Sequence, residues 1–136
     1  MIEKVEHQER LVALIIRQDY HGDAMKFFTA PESSLQLSYI SHPQGHEIKA
    51  HIHNEIPRTV VQTQEVLFVK KGKVKIDFFS MAMEYLESKT LTPGDIVLMA
   101  GQGHGLTMLE PTEMVLVKTG PYLGEKDKER FVPEKK

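Results

Sequence analysis

Two histidines one residue apart, His51-Ile52-His53, followed by Glu65 and then His104, are the residues in this chain best suited to chemistry. On a helix, positions i and i+2 point in different directions and cannot share one ion. On a strand they face the same way, and a rise of about 3.3 Å per residue puts their Cα atoms roughly 6–7 Å apart. Two imidazoles at that separation can reach a single cation at the usual metal–nitrogen distance of about 2.0–2.1 Å. A third imidazole and a carboxylate complete a donor set of three nitrogens and one oxygen. The chain has no cysteine, which excludes disulfides and thiolate sites, so any transition metal must be held by nitrogen and oxygen.

Such a site needs strands to carry it, and beyond residue 27 the sequence reads almost wholly as strand. Short apolar and β-branched runs recur, each closed by Gly, Pro, Asp or Ser. Residues 35–40 alternate and stop at the turn His42-Pro43-Gln44-Gly45, and residues 48–53 alternate again. Residues 65–70 are apolar nearly throughout, the pattern of a strand covered on both faces. Lys71-Gly72-Lys73 predicts a tight reversal into residues 74–79, and residues 81–91 predict an edge strand or hairpin. Thr92-Pro93-Gly94-Asp95 has the order of a turn. Residues 96–99, 105–109 and 114–118 supply three more strands, and 11–17 another, while residues 3–10 suggest a helical turn or two. Residues 124–136 mix acids and bases without an apolar period and predict a solvated, partly disordered tail. Many short strands at regular spacing argue for an all-β antiparallel sandwich or barrel, and closure into a barrel would remove the exposed edges.

Length and composition fit one soluble domain over residues 1–136: the chain is 40% apolar and 26% charged. A formal net charge of -2 gives no reason to expect nucleic acid or an anionic membrane as a partner. The longest early apolar run, residues 11–16, is too short to span a bilayer, and Met1-Ile2-Glu3-Lys4 does not resemble a signal peptide. A cytoplasmic protein is the expectation. Histidine is the skewed residue type: of seven, His42, His46, His51 and His53 fall within twelve positions.

The pattern resembles the cupin superfamily. Gly45, His51, His53, Glu65 and Gly72 match the family's first motif, with one departure: eleven residues separate His53 from Glu65, where the family has only a few. Pro93-Gly94-Asp95, followed by Met99-Ala100-Gly101-Gln102-Gly103-His104, resembles the second motif, although Met99 stands in place of the usual proline and Met108 in place of a trailing asparagine. The likeness covers roughly residues 34–119. It implies a double-stranded β-helix, or jelly-roll barrel, with one divalent metal ion held by His51, His53, Glu65 and His104, and it implies a homodimer. The metal stays open among Fe, Mn, Ni and Zn, since imidazole and carboxylate suit all four. Four protein ligands leave two octahedral positions free for a bidentate ligand, whereas tetrahedral zinc with all four would be closed.

Glu65 opens the apolar run Val66-Leu67-Phe68-Val69, where an unpaired carboxylate would be costly, and a one-residue slip would turn it to the other face. Around the four, His46 is a candidate near the site and His42 lies outside it. Arg58, in the insertion spanning residues 54–64, is a candidate clamp for a carboxylate or phosphate, and Gln102 is a candidate hydrogen-bonding partner for a ligand. The insertion itself has the character of a lid. Phe27, Phe28, Phe68, Phe78 and Phe79 read most simply as core. Gly101-Gln102-Gly103-His104-Gly105 is not a phosphate loop, because the third glycine is misplaced and no helix follows, and no serine-hydrolase or P-loop string exists. Two functions remain open. One is a metal-dependent enzyme of oxygenase, isomerase or sugar-modifying type acting on a small polar metabolite. The other is a non-catalytic module that binds or senses a metal or metabolite, favoured by the lack of a committed acid–base pair beyond the four ligands.

Overall fold

The computed structural model describes residues 1–134. Its strands, in chain order, are β1 (Ile2–His7), β2 (Arg10–Ile16), β3 (Lys26–Phe27), β4 (Ser38–Tyr39), β5 (Glu65–Lys71), β6 (Val74–Phe79), β7 (Tyr85–Leu91), β8 (Ile96–Met99), β9 (Gly103–Met108) and β10 (Glu113–Lys118). A single 3-10 turn, η1, covers Gly124–Asp127. The protein is all-β, with every strand pair antiparallel. The chain divides into two compact units, one made of Met1–Tyr20 with the residues from Gln62 onward, the other of His21–Val61.

The first unit holds a five-stranded sheet in the order β1-β2-β8-β5-β10 and a three-stranded sheet in the order β7-β6-β9. Side chains from both sheets meet in one apolar cluster that includes Val5, Val12, Ile15, Leu67, Val69, Val74, Ile76, Phe78, Leu91 and Val97. The hydrogen-bonded ladders form separate sheets and do not join into a closed barrel. The reversal at Lys71-Gly72-Lys73 carries the chain from one sheet to the other, since β5 pairs with β8 and β10 while β6 pairs with β7 and β9. Gly72 has φ +91°, and a Cβ there would lie 2.2 Å from the Pro111 carbonyl oxygen, so no other residue fits without a shift.

Several sequence expectations need correction. Residues 3–10 are not helical: Val5 is fully buried, and packing it requires β1 to lie beside β2, which overrides the helix propensity of the charged residues around it. β5 is not covered on both faces, because Leu67 and Val69 enter the core while Phe68 between them stays 39% exposed. The expected solvated tail docks instead: Asp127 accepts a hydrogen bond from Thr63, and the Phe131 ring meets Phe79 edge-on at 5.1 Å. That expectation also covered residues 135–136, which lie outside the described residues.

The second unit is sparsely ordered by ladders. β3 and β4 form a two-residue pair, braced by Thr29 donating to Gln36 and by Gln36 donating to the Ala30 and Ser33 carbonyls. The strand expected over residues 35–40 is reduced to Ser38–Tyr39. The strand expected over residues 48–53 is absent, and Ile52, at the centre of the His-x-His element, is 89% exposed. Alternation alone does not make a strand. It must find a ladder partner and bury one face, and this segment does neither.

Candidate functional site

Glu65 opens β5 on the same face as Leu67 and Val69, which point into the core. His104, second residue of β9, shares its face with Leu106, which packs against that core. The carboxylate and the imidazole are therefore the polar ends of two inward-facing rows, one from each sheet. They meet with Glu65 Oε2 3.8 Å from His104 Nε2, both side chains half-buried. That separation is too long for a hydrogen bond, yet close to the roughly 3–3.5 Å expected between two donor atoms bound to one ion at about 2.0–2.2 Å. Burial holds the His104 imidazole below its ordinary value of 6.5, against the opposing pull of the Glu65 charge, with the Lys128 charge adding to the depression. A neutral imidazole is the form that ligates metal.

The surroundings of this pair were not legible beforehand. Lys118 is the register partner of Glu65 on β10, and its ammonium lies 3.0 Å from Asp127. Asp127 also accepts from Thr63 at 2.7 Å, and these two partners hold its carboxyl below the usual carboxylate range. Nothing in the mixed-charge sequence of residues 124–131 signals that its acid and its aromatic return to the start of β5 and of β9. Gln64, 8% exposed, has the only buried side-chain polar atom among the described residues that lacks a hydrogen-bond partner, its amide oxygen. Gln102 lies half-buried in the turn before β9, next to Gly101, where a Cβ would meet the Gln62 side chain at 3.1 Å.

The other predicted residues belong to the second unit. His51 and His53 lie together with ring centroids 5.2 Å apart in a T-shaped arrangement, on exposed, ladder-free chain rather than on a strand. His51 Nδ1 is 2.7 Å from the Lys49 carbonyl oxygen, a hydrogen bond in which the ring N–H donates. His46 stacks on His42 at 3.9 Å with the rings 20° from parallel, a geometry that does not converge their nitrogens. Arg58 is exposed. The structure thus brings Glu65 to His104 and His51 to His53. Among the described residues, no group of three or more His, Asp or Glu side chains is arranged to hold an ion.

The chain matches no protein-family model, no curated protein and no solved structure. No helix among the described residues is long and apolar enough to cross a membrane.

Proposed function

We propose that this chain is a metal-binding cupin-type protein that binds one divalent ion (iron, manganese, nickel or zinc) and acts on a small polar ligand; its donors are Glu65 and His104, and the cupin resemblance assigns His51 and His53 to the same role. In this reading its two sheets form a jelly roll. The observation that carries it is the Glu65–His104 pair: an acidic and a neutral basic donor from opposite sheets, 3.8 Å apart and not hydrogen-bonded to each other. The donor types suit such an ion, since all four are nitrogen or oxygen ligands. Bound there, the ion would supply Lewis-acid polarisation of a ligand oxygen and, if it is iron, activation of dioxygen.

The chain's own residues set the terms. Glu65 contributes the negative charge, and the core rows behind Glu65 and His104 fix where those two side chains stand. The exposed His51 and His53 pair has no ladder to hold it and gains order when it binds. Two titratable groups beside Glu65, Lys118 and Asp127, are paired with each other, so acid–base catalysis by this end of the molecule has no spare group among them. That favours either chemistry at the ion or a purely binding role, the second reading.

Elemental analysis of untagged protein, purified without chelators, tests the proposal. About one equivalent of metal per chain is expected, falling towards zero in the double variant His51→Ala/His53→Ala, with the circular dichroism of the strands unchanged. Full occupancy in that variant would sink the four-ligand assignment.

A further inference from the structure

We propose that β10 is the contact between two copies of this chain, joined edge to edge and antiparallel about a two-fold axis through Leu116. The two sheets of the first unit end in four edge strands, β1, β10, β7 and β9. An unpaired edge invites another strand, and proteins guard such edges with charge. β1 carries Glu3, Lys4 and Glu6, and β7 carries Glu87 and Lys89. β9 leaves only Met108 exposed among its large apolar side chains. β10 is different: Val115, Leu116 and Val117 are consecutive and 48%, 50% and 54% exposed. Its charges, Glu113 and Lys118, stand only at its two ends. Phe68, the register partner of Val115, is also exposed, on the sheet face that carries Val115 and Val117.

The backbone decides how two such edges meet. The Thr119 N–H donates to the Gln64 carbonyl, so Val115 and Val117, at the same parity, turn their backbone groups towards β5. Met114, Leu116 and Lys118 turn theirs to the other side, where no strand among the described residues pairs with them. Two identical antiparallel edges are related by a two-fold axis perpendicular to the sheet, and the same face must meet the same face. With the axis through Leu116, that residue opposes its own copy, and Val115 opposes Val117 of the second copy. Lys118 then opposes Met114 and Glu113 opposes Thr119, so no like charges meet. An axis through Val115 would instead set Glu113 against Val117, a carboxylate on aliphatic surface. The Leu116 register pairs the outward backbone groups of both copies and merges their Phe68, Val115 and Val117 side chains into one apolar surface. Each edge is consumed, so the pair closes and does not grow. A single strand edge covers less than the roughly 800 Å² per partner of a standard interface, so the pair should dissociate on dilution.

Sedimentation equilibrium of the full chain, from micromolar to millimolar concentration, tests the proposal. A monomer–dimer equilibrium without larger species is expected. Leu116→Lys and Leu116→Glu should each weaken it about tenfold or more, because each sets two like charges against one another. An equimolar mixture of the two variants should recover a dimer within about threefold of the parent affinity, since opposite charges then meet on the axis. Lys4→Glu, on the β1 edge, should change the affinity by less than about twofold. If the Leu116 variants lose the parent's circular dichroism, Val117→Lys reads the same contact and should also weaken the pair. A monomer at every concentration overturns the proposal and leaves the β10 edge to a strand of a different protein. Larger oligomers, a Leu116→Lys or Val117→Lys dimer as tight as the parent, a mixture that fails to recover the dimer, or equal weakening by Lys4→Glu overturns it as well.

Discussion

The two ends of the sandwich carry charges of both signs and use them in opposite ways. At one end, Asp95 of the Pro93-Gly94-Asp95 turn is 2% exposed and accepts from the Thr92 and Gln18 amides and from Arg17. Arg17 also pairs with Glu3, and Lys89 reaches the same Glu3 at 3.2 Å. Each of these charges faces an opposite one at hydrogen-bonding range. At the other end, where Glu65 sits opposite Met99 at the far terminus of β8, the carboxylate faces an imidazole that burial keeps neutral, at a distance outside hydrogen bonding. Satisfied buried charges define a structure, whereas the pair that is desolvated and not bonded to each other is the one on which the proposed binding site rests. A shallow cavity of about 250 Å³ bordered by Glu3, Arg17 and Asp95 is closer to a seam of the closed end than to a site, because its charges are already answered by one another.

The contrast breaks first at Asp95. Asp95→Ala leaves the Arg17 guanidinium and two amides without their shared acceptor, and should cost about 3–5 kcal/mol of stability in urea titration. Glu65→Ala should cost far less in the metal-free protein. If the two variants lose equal stability, the division into a structural end and a binding end is wrong.

Acid titration of the metal-free protein sharpens the comparison, because the two ends lose stability in different windows. The Arg17 hydrogen bond draws the Glu3 carboxyl below its ordinary 4.5. The unfolded chain therefore takes up a proton at Glu3 first, and stability present above about pH 4.5 is lost as pH falls through the lower folded value. His104 is also depressed, by burial, so stability present above its unfolded value of 6.5 is lost as pH falls from there towards the folded value. Glu3→Gln should flatten the lower window and His104→Gln the upper one. Crossed assignments would show that the two ends are not independent.

The smallest effect belongs to the docked segment around Asp127 and Phe131. Asp127→Asn weakens ties to Lys118 and Thr63 at a solvated surface, so the thermal midpoint should scarcely move, while tryptic cleavage at Arg130 should quicken severalfold. Unchanged cleavage would mean that Phe131 on Phe79 alone holds the segment.

Much of the candidate site's local grammar was readable from the chain. Gly72 stands at a left-handed position with a carbonyl against it, and the Pro-Gly-Asp string forms the turn its residue types demand. Glu65 shares the parity of Leu67 and Val69, so the period of two already placed it on the inner face. The His51-x-His53 spacing was sound arithmetic applied to the wrong backbone. Nothing in residues 48–53 says whether a partner strand exists, and none pairs with them.

What the sequence by itself determined is the set of local choices: which runs alternate, where glycine must turn the chain, and which side chains are able to ligate. Only the tertiary structure decided that β1 is a strand, that residues 124–131 return to the start of β5 and of β9, and that Glu65 meets His104. These outcomes depend on partners far away in sequence. Strand pairing and burial are energies shared between distant segments, and a period or a motif within one segment does not contain them.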